Sequence, residues 1–455
     1  MNKRLLYLMF IIFIAAISGA LYGYDIGIIA GALLVLPKDI PMTPAMIGFA
    51  GGAVLAGGAI TILLAGPAAE LIGRKKMILI SAVIFLIGVL LLGRASTYLE
   101  IIVGRLVQGI GVGIVTIVIP MYLAEILPGN VRGRGMSSFQ WFLKLGVFSA
   151  TLVGLALTSS GNWRMMFISS GVPGIILLAT CFFLPESPRW LIKRGRNEEA
   201  YKILLKICHH EEADAIIKNF SLDLNSTGQK GFARLIKSIK NLFKKEYSKP
   251  IFIVFTVAIL NQLLGNNSLV PYSGILLKNA GLGSNHIAMI GSSTMTGIGI
   301  LGTLVCMVLI DKVGRRKVLC TGLSLVLTAL VVSGFAFLCL PVGIVRGFVI
   351  LLGLLTFAAG YSVGPGVIIW LIISELLPNE IRSTGMSIAL FLNSLASALL
   401  ASVFFSLSTY INIYGVYWLC GIFTLCYLLI AIFMLPETKN KTLEEIEKDF
   451  ITKKA

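Results

Sequence analysis

Two charges in this 455-residue chain stand where charges are costly. Asp25 falls inside the first long apolar run and Arg105 inside the fourth. An ionisable side chain kept in hydrocarbon marks a functional site by default. Each of the two offers the other a partner of opposite sign. A low dielectric favours the neutral acid and a neighbouring guanidinium favours the carboxylate. A pairing that changes with conformation would therefore let Asp25 take up and release a proton. The plainer alternative is a static buried pair that orients two helices, although such a pair is weak evidence for stability.

A second group of residues is polar but neutral. Gln140 lies in the fifth apolar run, Asn261, Gln262 and Asn267 in the seventh, and Asn393 in the eleventh. Amides donate and accept, which suits a ligand rich in hydroxyls, and Tyr272 and Trp370 offer ring faces to its C–H surface. Any one amide alone could serve as an interhelical hydrogen bond of about 0.6–2 kcal/mol. Gly265 interrupts the seventh run between the amides, and Gly364-Pro365-Gly366 interrupts the tenth just before Trp370. Broken helices beside polar residues point to a binding site near the membrane midplane.

Lys144 is the odd member, one turn beyond Gln140 on the same helix face. It stands about 15 Å along the helix from Arg134, too deep for easy snorkelling. Three roles are open to it. It neutralises a carboxylate such as Asp25, it recognises an anionic substrate such as a carboxylic acid, or it reaches a watery vestibule at the cytoplasmic end.

The elements that must hold these groups follow from composition. Hydrophobic residues make up 57% of the chain and charged residues only 13%, against about 25% charge in a soluble protein. Twelve apolar runs are expected to cross a bilayer, near 5–36, 44–69, 77–93, 98–127, 136–158, 165–184, 250–276, 286–310, 317–340, 346–377, 384–409 and 414–435. Each can span about 30 Å of hydrocarbon, and in lipid such runs are helices because the backbone must satisfy itself. The first run is read as a span rather than a signal peptide. It is too long, lacks a small-residue cleavage site and contains Asp25.

The net charge of +17 does not signal nucleic acid. All but seven of the 38 Lys and Arg fall at the N-terminus, in the even-to-odd loops or in the C-terminal tail; the exceptions are Lys38, Arg94, Arg105, Lys144, Arg164, Lys278 and Arg346. That bias predicts a multi-pass protein of the cell (inner) membrane with both termini and the 185–249 linker in the cytoplasm. Seven scattered cysteines and His209, His210 and His286 form no disulfide framework or metal-ligand spacing, so neither metal nor cofactor is expected. The chain has no phosphate-cradling Gly loop of Walker type, which argues against an ATP-driven pump. No nucleophile, base and orienting group assemble, so an enzyme is not expected.

The chain repeats itself. Glu125-Ile-Leu-Pro-Gly-Asn-Val-Arg132-Gly-Arg-Gly-Met-Ser137 recurs 250 residues later as Glu375-Leu-Leu-Pro-Asn-Glu-Ile-Arg382-Ser-Thr-Gly-Met-Ser387. Glu70-Leu-Ile-Gly-Arg-Lys-Lys76 recurs as Asp311-Lys-Val-Gly-Arg-Arg-Lys317, and Pro185-Glu-Ser187 as Pro436-Glu-Thr438. The expected organisation is an N-terminal six-helix half (1–184), a cytoplasmic linker with short helices and a loose polar stretch at 221–231 (185–249), a C-terminal half (250–435) and a cytoplasmic tail (436–455). Glu70, Glu125, Asp311 and Glu375 lie close in sequence to Arg74, Arg132, Arg315 and Arg382. Ion pairs there would latch the cytoplasmic side shut and break to permit rocking. Alternatively, these charges only orient the helices.

These repeats resemble the major facilitator superfamily, and Pro185-Glu-Ser-Pro-Arg-Trp190, Pro436-Glu-Thr-Lys439, Leu443-Glu-Glu445, Gly23-Tyr-Asp25 and Gly104-Arg105 narrow the resemblance to its sugar porter family. The resemblance implies an all-α fold of twelve helices in two pseudo-repeats and a functional monomer that carries a monosaccharide or related polyol. In family symporters an Asp and an Arg at the positions of Asp25 and Arg105 couple transport to protons, and many passive members have no carboxylate there. Asn261-Gln262-x-x-Gly265-x-Asn267 is similar to the family's Gln-Gln-x-Ser-Gly-x-Asn, and Gln140, Tyr272, Trp370 and Asn393 match further ligand positions. Departures stand at Leu264, Pro271, Gly299, Val367 and Ser394, so the particular sugar is left open. A uniporter of the same fold and a non-transporting nutrient sensor are the alternatives to sugar:proton symport.

Overall fold

The computed structural model describes residues 3–208, 210, 213, 214, 217, 242, 244, 247–378, 381–437 and 439; the side chains at 3, 129, 130, 132–134, 311 and 383 lie outside the described set. All regular structure among the described residues is helical. In chain order the helices are α1 (Lys3–Asp39), α2 (Pro44–Ile72), α3 (Arg74–Arg94), α4 (Tyr98–Ile126), α5 (Gly129–Thr158), α6 (Trp163–Ser169) and α7 (Gly171–Cys181). Two short linker helices follow, α8 (Pro188–Lys193) and α9 (Asn197–Leu204). Then come α10 (Ser248–Leu263), α11 (Asn266–Ala280), α12 (Asn285–Val313), α13 (Arg315–Cys339), α14 (Ile344–Val363), α15 (Pro365–Glu375) and α16 (Arg382–Phe433).

Among the described residues, eleven helical stretches are long and apolar enough to cross a membrane. The last, Thr384–Phe433, is 50 residues long, where one crossing needs about 20. It breaks at Asn412, whose φ of 59° lies in the left-handed region, into two pieces each long enough to cross, which makes twelve such stretches among the described residues. Both predicted interruptions are present. Gly265, at φ 93°, separates α10 from α11, and Gly364 separates α14 from α15. A left-handed backbone favours glycine because a Cβ would clash with the chain. The sixth span is one helical stretch in which Ser170, between α6 and α7, keeps right-handed helical backbone angles. The linker forms the expected short helices, with Glu198 and Glu199 in the first turn of α9. The polar stretch at 221–231 and nearly all of the tail, including Leu443-Glu-Glu445, lie outside the described residues.

The chain divides into two compact units. The first comprises Met1–Asp25, Gly57–Ala150 and Phe167–Lys230, and the second Ile26–Ala56, Thr151–Met166 and Gly231–Ala455. In the first, α3 and α4 pack around Phe85, Ile119 and Tyr122. There α1 and α5 meet backbone to backbone, since a Cβ at Gly19 or Gly23 would overlap the carbonyls of Phe139 or Leu143. Small residues allow this approach, the usual means of binding helices where water gives no drive. The second unit gathers the C-terminal helices with the end of α1, the start of α2 and the end of α5.

Candidate functional site

The first unit holds the charged pair. Arg105 Nη1 donates to Asp25 Oδ1 at 2.9 Å, and both side chains are buried. The guanidinium also lies over the Phe167 ring, 5.7 Å from its centroid. Asp25 Oδ2 is buried and has no hydrogen-bond partner among the described residues. A carboxylate oxygen left bare in a dry place is costly as an anion, and a proton on it removes that cost. The same region contains Gln108, which the sequence reading passed over. Its Oε1 accepts from Arg105 Nη1 at 3.2 Å, and its Nε2 donates to Ser170 Oγ at 3.4 Å. Its position three residues after Arg105 in an apolar helix was the available signal. Gln140 and Lys144, both part-buried on α5, belong to this unit too.

The second unit holds the other amides, and three of them bond to one another as well as to neighbouring groups. Gln262 Nε2 donates to Asn393 Oδ1 at 3.0 Å, and Asn393 Nδ2 donates to Ala258 O at 2.8 Å. Asn267 Nδ2 donates to Gln262 Oε1 at 3.0 Å and to Ser397 Oγ at 2.7 Å. The break at Gly265 makes this possible, because it re-aims α11 so that Asn267 meets Gln262 on α10. Asn393 and Ser397 stand one turn apart on α16 and face both pieces. Asn261 is buried, and its Oδ1 has no partner among the described residues. Trp370, on α15, is 40% exposed. Tyr272 is fully buried. Its hydroxyl donates to Gly48 O at 2.9 Å or Ala401 O at 2.8 Å, and Phe404 and Phe405 cover its ring.

The repeated loop motifs form two related knots. Arg74 Nη2 meets Glu125 Oε1 at 2.7 Å, and Ser187 Oγ donates to Glu125 Oε2 at 2.5 Å. Glu70 pairs with Lys193 at 3.5 Å. In the second half Arg315 and Glu375 approach to 4.0 Å, and Arg382 Nε donates to Leu377 O at 3.1 Å. The side chains of Arg132 and Asp311 lie outside the described residues. Two further carboxylates complete the knots. Glu186 Oε1 accepts the N–H groups of Arg74 and Lys75 at 2.9 and 3.2 Å, while Glu437 accepts those of Arg315 and Arg316 at 2.9 and 3.2 Å. Each neutralises the positive end of a helix, α3 or α13. Both stand in the quoted Pro-Glu motifs, which were the available signal. Among the described residues, no group of three or more His, Cys, Asp and Glu could hold a metal ion.

The comparisons with known proteins agree with this architecture. The profile of the family described as "Sugar (and other) transporter" matches residues 11–450. The chain is 34% identical over 449 residues to the glucose transporter GlcP of Staphylococcus epidermidis, covering 97% of this chain and 96% of that protein. It is 30% identical to the arabinose-proton symporter of Bacillus subtilis, with coverage of 96% and 94%. Among solved structures it is similar to the partially occluded inward-open xylose transporter XylE of E. coli, with a TM-score of 0.80, 26% identity and coverage of 96% and 99%. The fold is that of the major facilitator superfamily, and these relatives are transporters rather than enzymes. With the family profile covering nearly its whole length, this multi-pass membrane protein belongs to the sugar (and other) transporter family.

Proposed function

We propose that the protein is a sugar:proton symporter that works by alternating access, with Asp25 as the proton-carrying group and Arg105 as its partner. One observation carries the coupling half of this proposal. Asp25 is wholly buried, holds Arg105 with one oxygen, and leaves the other without a hydrogen bond among the described residues. The site is built to exist in two protonation states, because the cation favours the carboxylate and the bare, dry oxygen favours the acid. The relatives named as proton symporters support the same direction.

Substrate binding is assigned to Asn261, Gln262, Asn267 and Asn393 with Trp370, and through the family resemblance to Gln140 and Tyr272. The amides hold one another in fixed orientations, so a monosaccharide or polyol exchanges its hydroxyls into a network already shaped for donors and acceptors. The knots around Arg74–Glu125 and Arg315–Glu375, with Glu70, Arg132, Asp311 and Arg382, are assigned to a cytoplasmic latch. The layout of two six-helix halves (1–184 and 250–435), a linker and a tail, with both termini cytoplasmic in the inner membrane and the monomer as the working unit, completes the proposal. Liposomes reconstituted with the purified protein test it. Radiolabelled pentoses, hexoses and inositol are offered with and without an inward proton gradient, and at least one is expected to accumulate only with it. Equilibration at the same level in both conditions would identify a uniporter, and no uptake of any would favour a sensor.

Lys144 tunes the site or its substrate range. Lys144→Ile is expected to alter the pH optimum of uptake or the preference between neutral and acidic sugars. Superimposable profiles for variant and parent would leave Lys144 without a role in transport.

A further inference from the structure

Gln108 is fully buried on α4 and is bonded on both sides of its amide. We propose that it is a positioning residue for proton coupling: its oxygen is a second acceptor that holds the Arg105 guanidinium in place while Asp25 is neutral, and so sets the pH range over which uptake runs. This inference rests on the proton-coupled function proposed above.

The orientation of the amide follows from the chain of bonds. Ser170 Oγ donates its one proton to Phe167 O at 2.6 Å. Its oxygen is then left to accept, so the Gln108 nitrogen must face Ser170 and the Gln108 oxygen must face Arg105. The flipped amide would set its NH2 against a guanidinium and its oxygen against an oxygen with no proton to give. Helix α3 closes the remaining side, since a Cβ at Gly88 would lie 2.6 Å from Gln108 Cγ.

Arg105 Nη1 thus has two acceptors at once, Asp25 Oδ1 at 2.9 Å and Gln108 Oε1 at 3.2 Å. When Asp25 binds a proton, Arg105 Nη1 loses its anionic acceptor in a dry site, which is costly. The amide oxygen stays and reduces that cost. Neutral Asp25 is therefore easier to reach with Gln108 present than without it. Among the described residues, Tyr22 and Tyr24 flank Asp25 on α1, and on α5 the titratable Lys144 follows Leu143, whose carbonyl meets Gly23. Helix α6 brings Ser169, whose hydroxyl lies 2.8 Å from that of Tyr24, and α3 presents Gly88.

The test compares Gln108→Met, which keeps the length and loses the acceptor, with the parent in liposomes. Initial uptake of radiolabelled xylose and glucose is measured across external pH and normalised to monodisperse protein. The pH of half-maximal uptake is expected to move towards acid by about half to one unit, the equivalent of one neutral hydrogen bond. Ser170→Ala, which frees the amide to turn, is expected to move it the same way by less, and decides the matter alone if Gln108→Met does not yield folded protein. A parent driven by protons whose profile superimposes on those of the folded variants overturns this inference and leaves the symport function standing. A parent indifferent to the proton gradient overturns both.

Discussion

The charged pair and the amide cluster solve opposite problems. In the first unit Asp25 and Arg105 are ionisable and buried, and Asp25 Oδ2 has no hydrogen-bond partner among the described residues. In the second, Gln262, Asn267 and Asn393 are neutral and bond to one another, to Ser397 and to a backbone carbonyl. A cluster of neutral donors and acceptors can trade its internal bonds for bonds to hydroxyls, yet it has no charge to change. A pair with one oxygen unfilled can change its charge but offers little to a polyol. On the function proposed here, separate residues carry the affinity for sugar and the link to protons, and substitutions should separate the two.

Substitution of Asp25 should change transport the most. Asp25→Asn keeps the size and cannot titrate, so proton-driven accumulation should fall from a possible tenfold or so per pH unit of gradient to about onefold. Exchange of labelled for unlabelled sugar across the membrane should persist. Accumulation by the variant would show that the charged pair is not the coupling site and would dissolve the contrast between the two regions.

Next come Gln262→Ala and Trp370→Ala. Each should weaken sugar binding by about one to two decades, the equivalent of a lost partner to a buried hydroxyl or ring face. Titration of the purified variants with sugar, followed by tryptophan fluorescence for Gln262→Ala and by calorimetry for Trp370→Ala, measures this. The pH profile of uptake should keep its midpoint in Gln262→Ala, because no titrating group has been touched. Unchanged affinity in both variants would place the binding site elsewhere.

The smallest effect is expected at Ser397→Ala, which removes one of the two bonds from Asn267 Nδ2. A loss of a few-fold in affinity, about 0.5–1 kcal/mol, is consistent with a net neutral hydrogen bond. A loss as large as that of Gln262→Ala would mean that Ser397 touches the ligand itself.

Much of this was legible in the sequence because a membrane restricts the possibilities. Apolar runs must be helices, a costly buried charge must have a use, and Gly265 and Gly364 mark breaks that the backbone then shows. What stayed hidden depends on three-dimensional partnership. Gln108 reads as one more polar residue until Arg105 and Ser170 are seen on either side of it. Glu186 and Glu437 stand in motifs that the sequence displays, but their work on the first N–H groups of α3 and α13 joins residues more than a hundred positions apart. The aromatic side chain of Tyr272 suggested an open ring face. Its surroundings, the carbonyls of Gly48 and Ala401 and the rings of Phe404 and Phe405, come from distant segments that no local pattern connects.

Whether sugar and protons cross together through Asp25 is decided by following protons themselves. Weakly buffered liposomes containing the parent protein or Asp25→Asn are given an inward sugar gradient with the membrane potential clamped, while a pH electrode records the medium. The parent should alkalinise the medium as sugar enters, in a fixed ratio to sugar taken up, and Asp25→Asn should take up sugar with no change in pH. Sugar entry through the parent without alkalinisation, or alkalinisation that survives in Asp25→Asn, would contradict coupling through Asp25.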